Sequence, residues 1–376
     1  MAIRTHFPAL IALAAALTGP AFGADLRVLL GTNGSGPGIG FSLAHFDPAN
    51  GRLTRPVLLC EAEDPGFFVI RPDGRRLYAC NSGAPSEVSA YRLESGTGRL
   101  ALLDRLPSGG TDPCYISLDR SGRFALVANY DSGNISVFAI DEDGGLGRRT
   151  AFRQDVGSSL DPKRQAHAYA HSIAVDPSNR FVLVADLGTD KVYVYRFDAS
   201  AGTLVPNEPA FARVLPGSGP RHLSFHPSGR WVYVIDEMAS NVTAFRWDQA
   251  HGVLTEFQTI TTLPADFRGV NTAAEIEVHP SGRFLYCSNR GFDSIAEFAI
   301  DAGSGRLGPP QFVSSGGRTP RFFTLDPTGQ WILCCNQDSG NVVVFRVDRV
   351  TGLLTRAGDA VPARIPVCIG FVPTLP

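Results

Sequence analysis

Seven times along the chain a glycine is followed two residues later by leucine, just after a strand-like run: Gly51-Leu53, Gly98-Leu100, Gly144-Leu146, Gly202-Leu204, Gly252-Leu254, Gly305-Leu307 and Gly352-Leu354. Successive glycines are 47, 46, 58, 50, 53 and 47 residues apart. A period of that size, filled with short β-branched and aromatic runs divided by Gly, Asn, Asp and Pro, describes the blades of a β-propeller; helical periodicity is absent. A fixed internal repeat also outranks chain length as a guide to domain count, so residues 24–376 read as one domain.

One copy shows how a blade is parsed. Residues 222–225 form an inner strand, 226–230 (His-Pro-Ser-Gly-Arg) a turn, 231–235 a second strand, 242–247 a third and 254–261 the outermost. The apolar runs are dense rather than strictly alternating, as expected for strands covered on both faces by neighbouring blades. The Pro-x-Gly type of turn occurs only six times. Residues 26–30 and 39–46 lack it, and 367–371 are left over at the other end. Joining both ends into one shared blade completes an all-β, seven-bladed propeller with no open sheet edge.

Aligning the six copies on their turn residues, Gly74, Gly122, Asn179, Gly229, Gly282 and Gly329, exposes two columns that do not repeat. Eight places before the turn stand Gly66, Cys114, His171, Arg221, Ala274 and Arg321; eight places after it stand Ser82, Tyr130, Leu187, Glu237, Arg290 and Gln337. Scaffold positions repeat because each copy solves one packing problem, so a column of dissimilar, partly charged residues marks a specialised shared surface. Antiparallel pairing across the turn brings both columns to the same end of the blades, at one mouth of the central channel.

Residues 1–23 carry Arg4, an apolar run over 9–17 and Ala21-Phe22-Gly23, the order of a secretory signal too short to span a bilayer. The expectation is an exported, periplasmic protein with no membrane span in the mature chain. Seven cysteines (Cys60, Cys80, Cys114, Cys287, Cys334, Cys335, Cys368) sit mostly in apolar runs and read as buried small hydrophobes rather than a disulfide framework, with room for at most one isolated pair. None has the ligand spacing of a zinc site, and Cys334-Cys335 would face opposite ways on a strand. A net charge of −2 with no basic stripe argues against nucleic acid.

Several segments resemble the seven-bladed propeller lactonases: Gly219-Pro-Arg-His222 with His226-Pro-Ser-Gly-Arg230, Asp186-Leu-Gly-Thr-Asp190, Ala128-Asn-Tyr-Asp-Ser-Gly133 and Ser288-Asn-Arg-Gly-Phe-Asp-Ser294. That family includes propeller-type 6-phosphogluconolactonases, fungal carboxymuconate-cyclising enzymes and periplasmic gluconolactonases. The resemblance runs from Leu29 to Val367 and implies a catalytic set of His171, Arg221, Glu237 and Arg290; no cofactor and no metal are expected. A His-x-His pair common in the family is here Tyr169-Ala-His171.

Lactone opening needs a water activated near the acyl carbon and a positive group where the carbonyl oxygen gains charge. Arg221 and Arg290 suit the second task. Glu237 is expected as the base or its orienter with His171 as acid–base partner. An arginine neighbour weakens a carboxylate as a base, which keeps His171 as the other candidate. Arg321, Glu275, Asn289 and Gln337 are expected to contact substrate, although Arg321 can equally form a structural salt bridge, and Asn289 belongs to a repeating column (Asn81, Asn129, Asp186, Asp236, Asn336) that can serve only the backbone. Glu237 and Arg290 can likewise be a plain inter-blade ion pair. By pleat alternation His222 falls on the opposite strand face from Arg221 and reads as structural, while His226 and His279 occupy a turn position held elsewhere by Asp.

The expected substrate is a sugar 1,5-lactone. Export places glucono-1,5-lactone ahead of its 6-phosphate, and a carboxymuconate substrate behind both. The non-enzymatic alternative is a binding platform, which has no need of a converging His, Glu and two Arg. A metal-dependent lactonase is disfavoured because two arginines would repel the ion.

Overall fold

In four of the repeats the second strand is buried along its whole length: Phe124–Asn129, Phe181–Asp186, Trp231–Asp236 and Trp331–Asn336. A strand with two apolar faces needs cover on both, which stacked neighbouring sheets provide. The computed structural model describes residues 25–94 and 98–373; the leader-like residues 1–23 lie outside the described residues. Among the described residues there is no α-helix. Six four-stranded antiparallel sheets follow in chain order over residues 65–107, 113–154, 170–213, 220–261, 272–314 and 320–362, here blades one to six.

Blade seven closes the ring. Its inner strand Pro366–Phe371 comes from the C-terminal end and pairs antiparallel with Leu26–Thr32, which pairs with Gly40–Asp47. Val57–Glu61 then forms the outer edge on Gly40–Asp47. The shared blade expected from the sequence is thus present, and the parsed strand bounds agree to within one or two residues.

The Gly-x-Leu glycines have two physical reasons to recur. Gly51, Gly202, Gly252, Gly305 and Gly352 all have φ between 68 and 78°, the left-handed region. A Cβ on Gly305 would also lie 2.4 Å from the Trp231 ring of the preceding blade, and one on Gly51 2.4 Å from Trp331. Each such turn seats an aromatic side chain from the blade before it, so the repeat encodes blade-to-blade docking as well as chain reversal.

His226 and His279 act as the turn residues they were expected to be. Nδ1 of each contacts a serine hydroxyl two residues on, and Nε2 contacts Gly282 O and Gly329 O of the next blade at 2.8 Å. All seven cysteines are free. Cys334 and Cys335 pack into different interblade clusters, as opposite strand faces require.

Where the column at the end of the second strands holds Asn, it fastens the blade to the loop entering it. Asn81, Asn289 and Asn336 donate Nδ2 to Glu63 O, Thr262 O and Ser315 O at 2.7, 2.8 and 3.0 Å. Asp236, in the same column, has no such donor. Its Oδ2 accepts from Thr243 Oγ1 at 2.7 Å and its buried Oδ1 has no partner. Burial pushes this carboxyl up to about 8. The folded state therefore holds a proton that the unfolded state releases near pH 4, and the group's contribution to stability falls as pH rises from about 4 to about 8. Asp236→Asn is expected to stabilise the fold by about 1 kcal/mol at pH 8. The gain should shrink at pH 5; equal shifts in urea midpoint at both pH values would contradict this.

Candidate active site

The inner strands do not pair regularly. Gly66, Cys114, His171, Arg221, Arg321 and Val367 are each skipped in the register with the second strand of their blade. In blade five Ala274 and Glu275 together face Ser288. The first of the two variable columns is therefore a ring of β-bulges, with Val367 of the closing blade as its seventh member. A bulge breaks the alternation of side chains and re-aims the extra residue, a device common beside active sites.

One consequence corrects the placement of His222. Pleat alternation puts it on the face away from Arg221, but the bulge turns the following residue into the channel as well, one layer deeper. Phe67 of blade one lies 4.3 Å from Tyr115 and 6.0 Å from His222 of blade four, ring to ring, and 5.5 Å from Phe322 of blade six. Blades one and four do not neighbour each other, so these rings meet across the axis and plug it. Above this aromatic floor lies an open-mouthed cavity of about 520 Å³.

His222 is structural in its chemistry. Its Nε2 lies 3.2 Å from the Arg221 guanidinium, which can only donate, so Nδ1 carries the proton and donates to Glu275 Oε2 at 3.0 Å. Burial holds this ring neutral and pushes the Glu275 carboxyl well up, making the contact a neutral hydrogen bond.

Glu237 stands at the cavity wall, 5% exposed, with guanidiniums on both oxygens. Oε2 accepts from Arg221 Nε at 3.0 Å and forms an ion pair with Arg290 Nη2 at 2.8 Å; Oε1 accepts from Arg164 Nη2 at 2.5 Å. The arginines are fixed in turn by backbone. Arg221 Nη1 donates to Ala274 O at 2.6 Å and Arg290 Nη2 to Ala273 O at 3.0 Å, so the bulge carbonyls of blade five organise the cluster. Burial would raise the Glu237 carboxyl, but Arg290 and Arg221, with help from Arg164, hold it far below the usual carboxylate range. A carboxylate held so low is a weak proton acceptor.

His171 lines the same cavity. Burial and the Arg221 charge keep its imidazole well below the ordinary histidine value, hence neutral near pH 7. The Tyr130 ring lies 5.3 Å from it. Cys114 Sγ is 3.3 Å from His171 O and 3.8 Å from Nδ1; burial pushes the thiol up, so it stays protonated. His167, outside the cavity, stacks on Tyr169 at 4.1 Å.

The structure thus brings His171, Glu237, Arg290 and Arg321 to one cavity, with Arg221 behind Glu237. Glu275 lies in the layer below. Asn289 is buried behind the wall, bonded to Thr262, Asn271 and Ser294, and Gln337 is bonded to Asp338; neither lines the cavity. Arg164, Asp64 and Asp112 line it without having been singled out in the sequence. Arg164 sits between blades two and three, inside the longest gap of the repeat, 58 residues, and that excess length is the signal that marks it.

Residues 27–371 match the family model described as lactonase, 7-bladed beta-propeller. A 6-phosphogluconolactonase of Bacillus subtilis is 32% identical over 344 residues, 91% of this chain and 97% of that protein. Another from Formosa agariphila is 32% identical over 300 residues, 77% of this chain and 83% of its own. Among solved structures, the periplasmic gluconolactonase of Pseudomonas aeruginosa superimposes with a TM-score of 0.87 at 31% identity, covering 93% of this chain and 99% of that one. With a matching family over nearly all of its described length and seven blades around one polar cavity, the chain belongs to the seven-bladed β-propeller lactonase family.

Proposed function

We propose that the cavity hydrolyses a sugar 1,5-lactone, with glucono-1,5-lactone preferred, to the aldonic acid. The observation that carries this reading is the neutral His171 beside an ionised Glu237 clamped by three guanidiniums in one cavity. Water attacks the acyl carbon while His171 takes its proton; Arg290 and Arg321, which line the cavity, meet the negative charge growing on the carbonyl oxygen. Collapse of the tetrahedral intermediate breaks the bond to the ring oxygen, which receives the proton back from His171. Glu237 has a positioning role in this scheme. It holds the guanidiniums in register and favours the imidazolium that forms transiently, the orienting one of the two roles expected from the sequence.

Two observations bear on the lactone. The leader-like residues 1–23 support export to the periplasm, where the unphosphorylated lactone is the available form, and the Pseudomonas aeruginosa relative is a periplasmic gluconolactonase. The Bacillus subtilis relative favours a second reading, the 6-phosphate. Acid release from both lactones, followed in a pH-stat against the spontaneous rate, tests the proposal. A clear excess with glucono-1,5-lactone is expected; rates equal to background for both lactones would overturn it.

A further inference from the structure

The cavity is cationic on one side only. Arg221, Arg290 and Arg321 come from blades four, five and six, and Arg164 from the loop before blade three. Asp64 and Asp112 come from the loops entering blades one and two, on the other side of the ring. Glu237 is consumed by its three arginines, so the two aspartates are the carboxylates left facing the cavity space. Among the described residues Arg321 forms no ion pair or hydrogen bond, leaving its donors for a ligand.

The backbone of both aspartates is tied in place. Each precedes a proline that opens an inner strand, and each has left-handed backbone, φ 45° at Asp64 and 56° at Asp112. Asp64 Oδ1 accepts from Gly34 N at 2.8 Å. Around Asp112, its N–H donates to Ser86 Oγ at 3.1 Å and its carbonyl accepts from Tyr130 N at 2.8 Å. Burial and the like charge of Asp131 raise the Asp112 carboxyl to about 6 against the pull of Arg321, so it is an anion above neutral pH.

We infer that Asp64 and Asp112 set the orientation and charge selectivity of this site, making it specific for neutral polyhydroxy lactones. This rests on the proposed lactone hydrolysis and names the substrate class within it. Ionised carboxylates only accept hydrogen bonds, and the hydroxyl-bearing end of a sugar lactone only needs acceptors to satisfy its O–H groups. That end sits against Asp64 and Asp112, which turns the acyl carbon towards His171 and the guanidiniums. A phosphate on the same end meets two like charges. Turning the molecule round to put the phosphate on Arg321 carries the acyl carbon away from His171, so such binding is unproductive.

The test is the ratio of kcat/KM for glucono-1,5-lactone to that for its 6-phosphate, in wild-type protein and in the Asp64→Asn/Asp112→Asn double variant. It is measured at about pH 7.5, above the value of about 6 to which the Asp112 carboxyl is raised. Asparagine keeps the Oδ1 acceptor for Gly34 and nearly the same shape. The ratio is internal to each sample and is unaffected by the folded fraction. Wild type should prefer the neutral lactone, and the double variant should lower the ratio by roughly tenfold or more, mainly through a lower KM for the phosphorylated lactone. An unchanged or increased ratio overturns the inference, as does a wild-type preference for the 6-phosphate. No turnover of either lactone by wild type would overturn the hydrolase reading itself, and this inference with it.

Discussion

Glu237→Gln is expected to lower kcat/KM about a thousandfold and to cost about 3–5 kcal/mol of stability. The reason is the number of charges that depend on one side chain. Arg221 is only 2% exposed, and Glu237 is the carboxylate on its Nε; Arg290 and Arg164 share the same two oxygens. Glutamine keeps the size but removes the charge, and it presents an NH₂ group to guanidiniums that can only donate. The guanidiniums then lose the register that puts donors where the oxyanion forms. Urea denaturation gives the stability change, and activity per folded molecule gives the catalytic one. Wild-type activity in a folded Glu237→Gln protein would remove Glu237 from the mechanism and leave it as an interblade ion pair.

His171→Ala should lower kcat by about 10²–10⁴-fold and leave KM within a few-fold, because the ring handles a proton rather than holding the sugar. The wild-type pH profile carries an independent signature. Burial and Arg221 depress the imidazole, so its neutral, proton-accepting form persists well below pH 6.5. Plotted as kcat, the rate should stay level through pH 6.5 and fall only further into acid. Asp112, which titrates near 6, acts on binding and should appear in kcat/KM instead. A kcat profile that falls around pH 6.5 or above would contradict a depressed His171 as the base. Retained kcat in His171→Ala would move the proton transfer elsewhere.

Much of this molecule was readable from one chain because the same local problem is solved repeatedly. The Gly-x-Leu turns announce the blades since each adopts left-handed φ and five of the seven receive an aromatic ring from the preceding blade, as Gly305 receives Trp231. The leftover segment 367–371 announced closure for the same reason: an edge strand needs a partner, and Leu26–Thr32 is that partner. The two variable columns led to His171, Arg221, Glu237, Arg290 and Arg321.

What stayed hidden has two physical origins. Bulges are a property of paired strands and leave no composition signature, so alternation misplaced His222 and concealed the floor of Phe67, Tyr115 and Phe322. Loops between blades fall outside the repeat register, which hid Arg164, Asp64 and Asp112 even though the 58-residue gap and the aligned Asp-Pro steps were in view. Asn289 was adjacent to the cluster in sequence but points behind the wall, since neighbours on a regular strand face opposite ways, while Glu275, in the blade-five bulge, meets His222 in the layer below.

The most direct measurement is a crystal structure of the protein with glucono-1,5-lactam, the amide analogue that keeps the ring, hydroxyls and carbonyl but resists hydrolysis. Its carbonyl oxygen should lie about 3 Å from a guanidinium nitrogen of Arg290 or Arg321, with the carbonyl carbon facing His171 and hydroxyls on Asp64 and Asp112. A lactam bound outside this cavity, or bound within it with the carbonyl against the two aspartates, would contradict the assignment of the site.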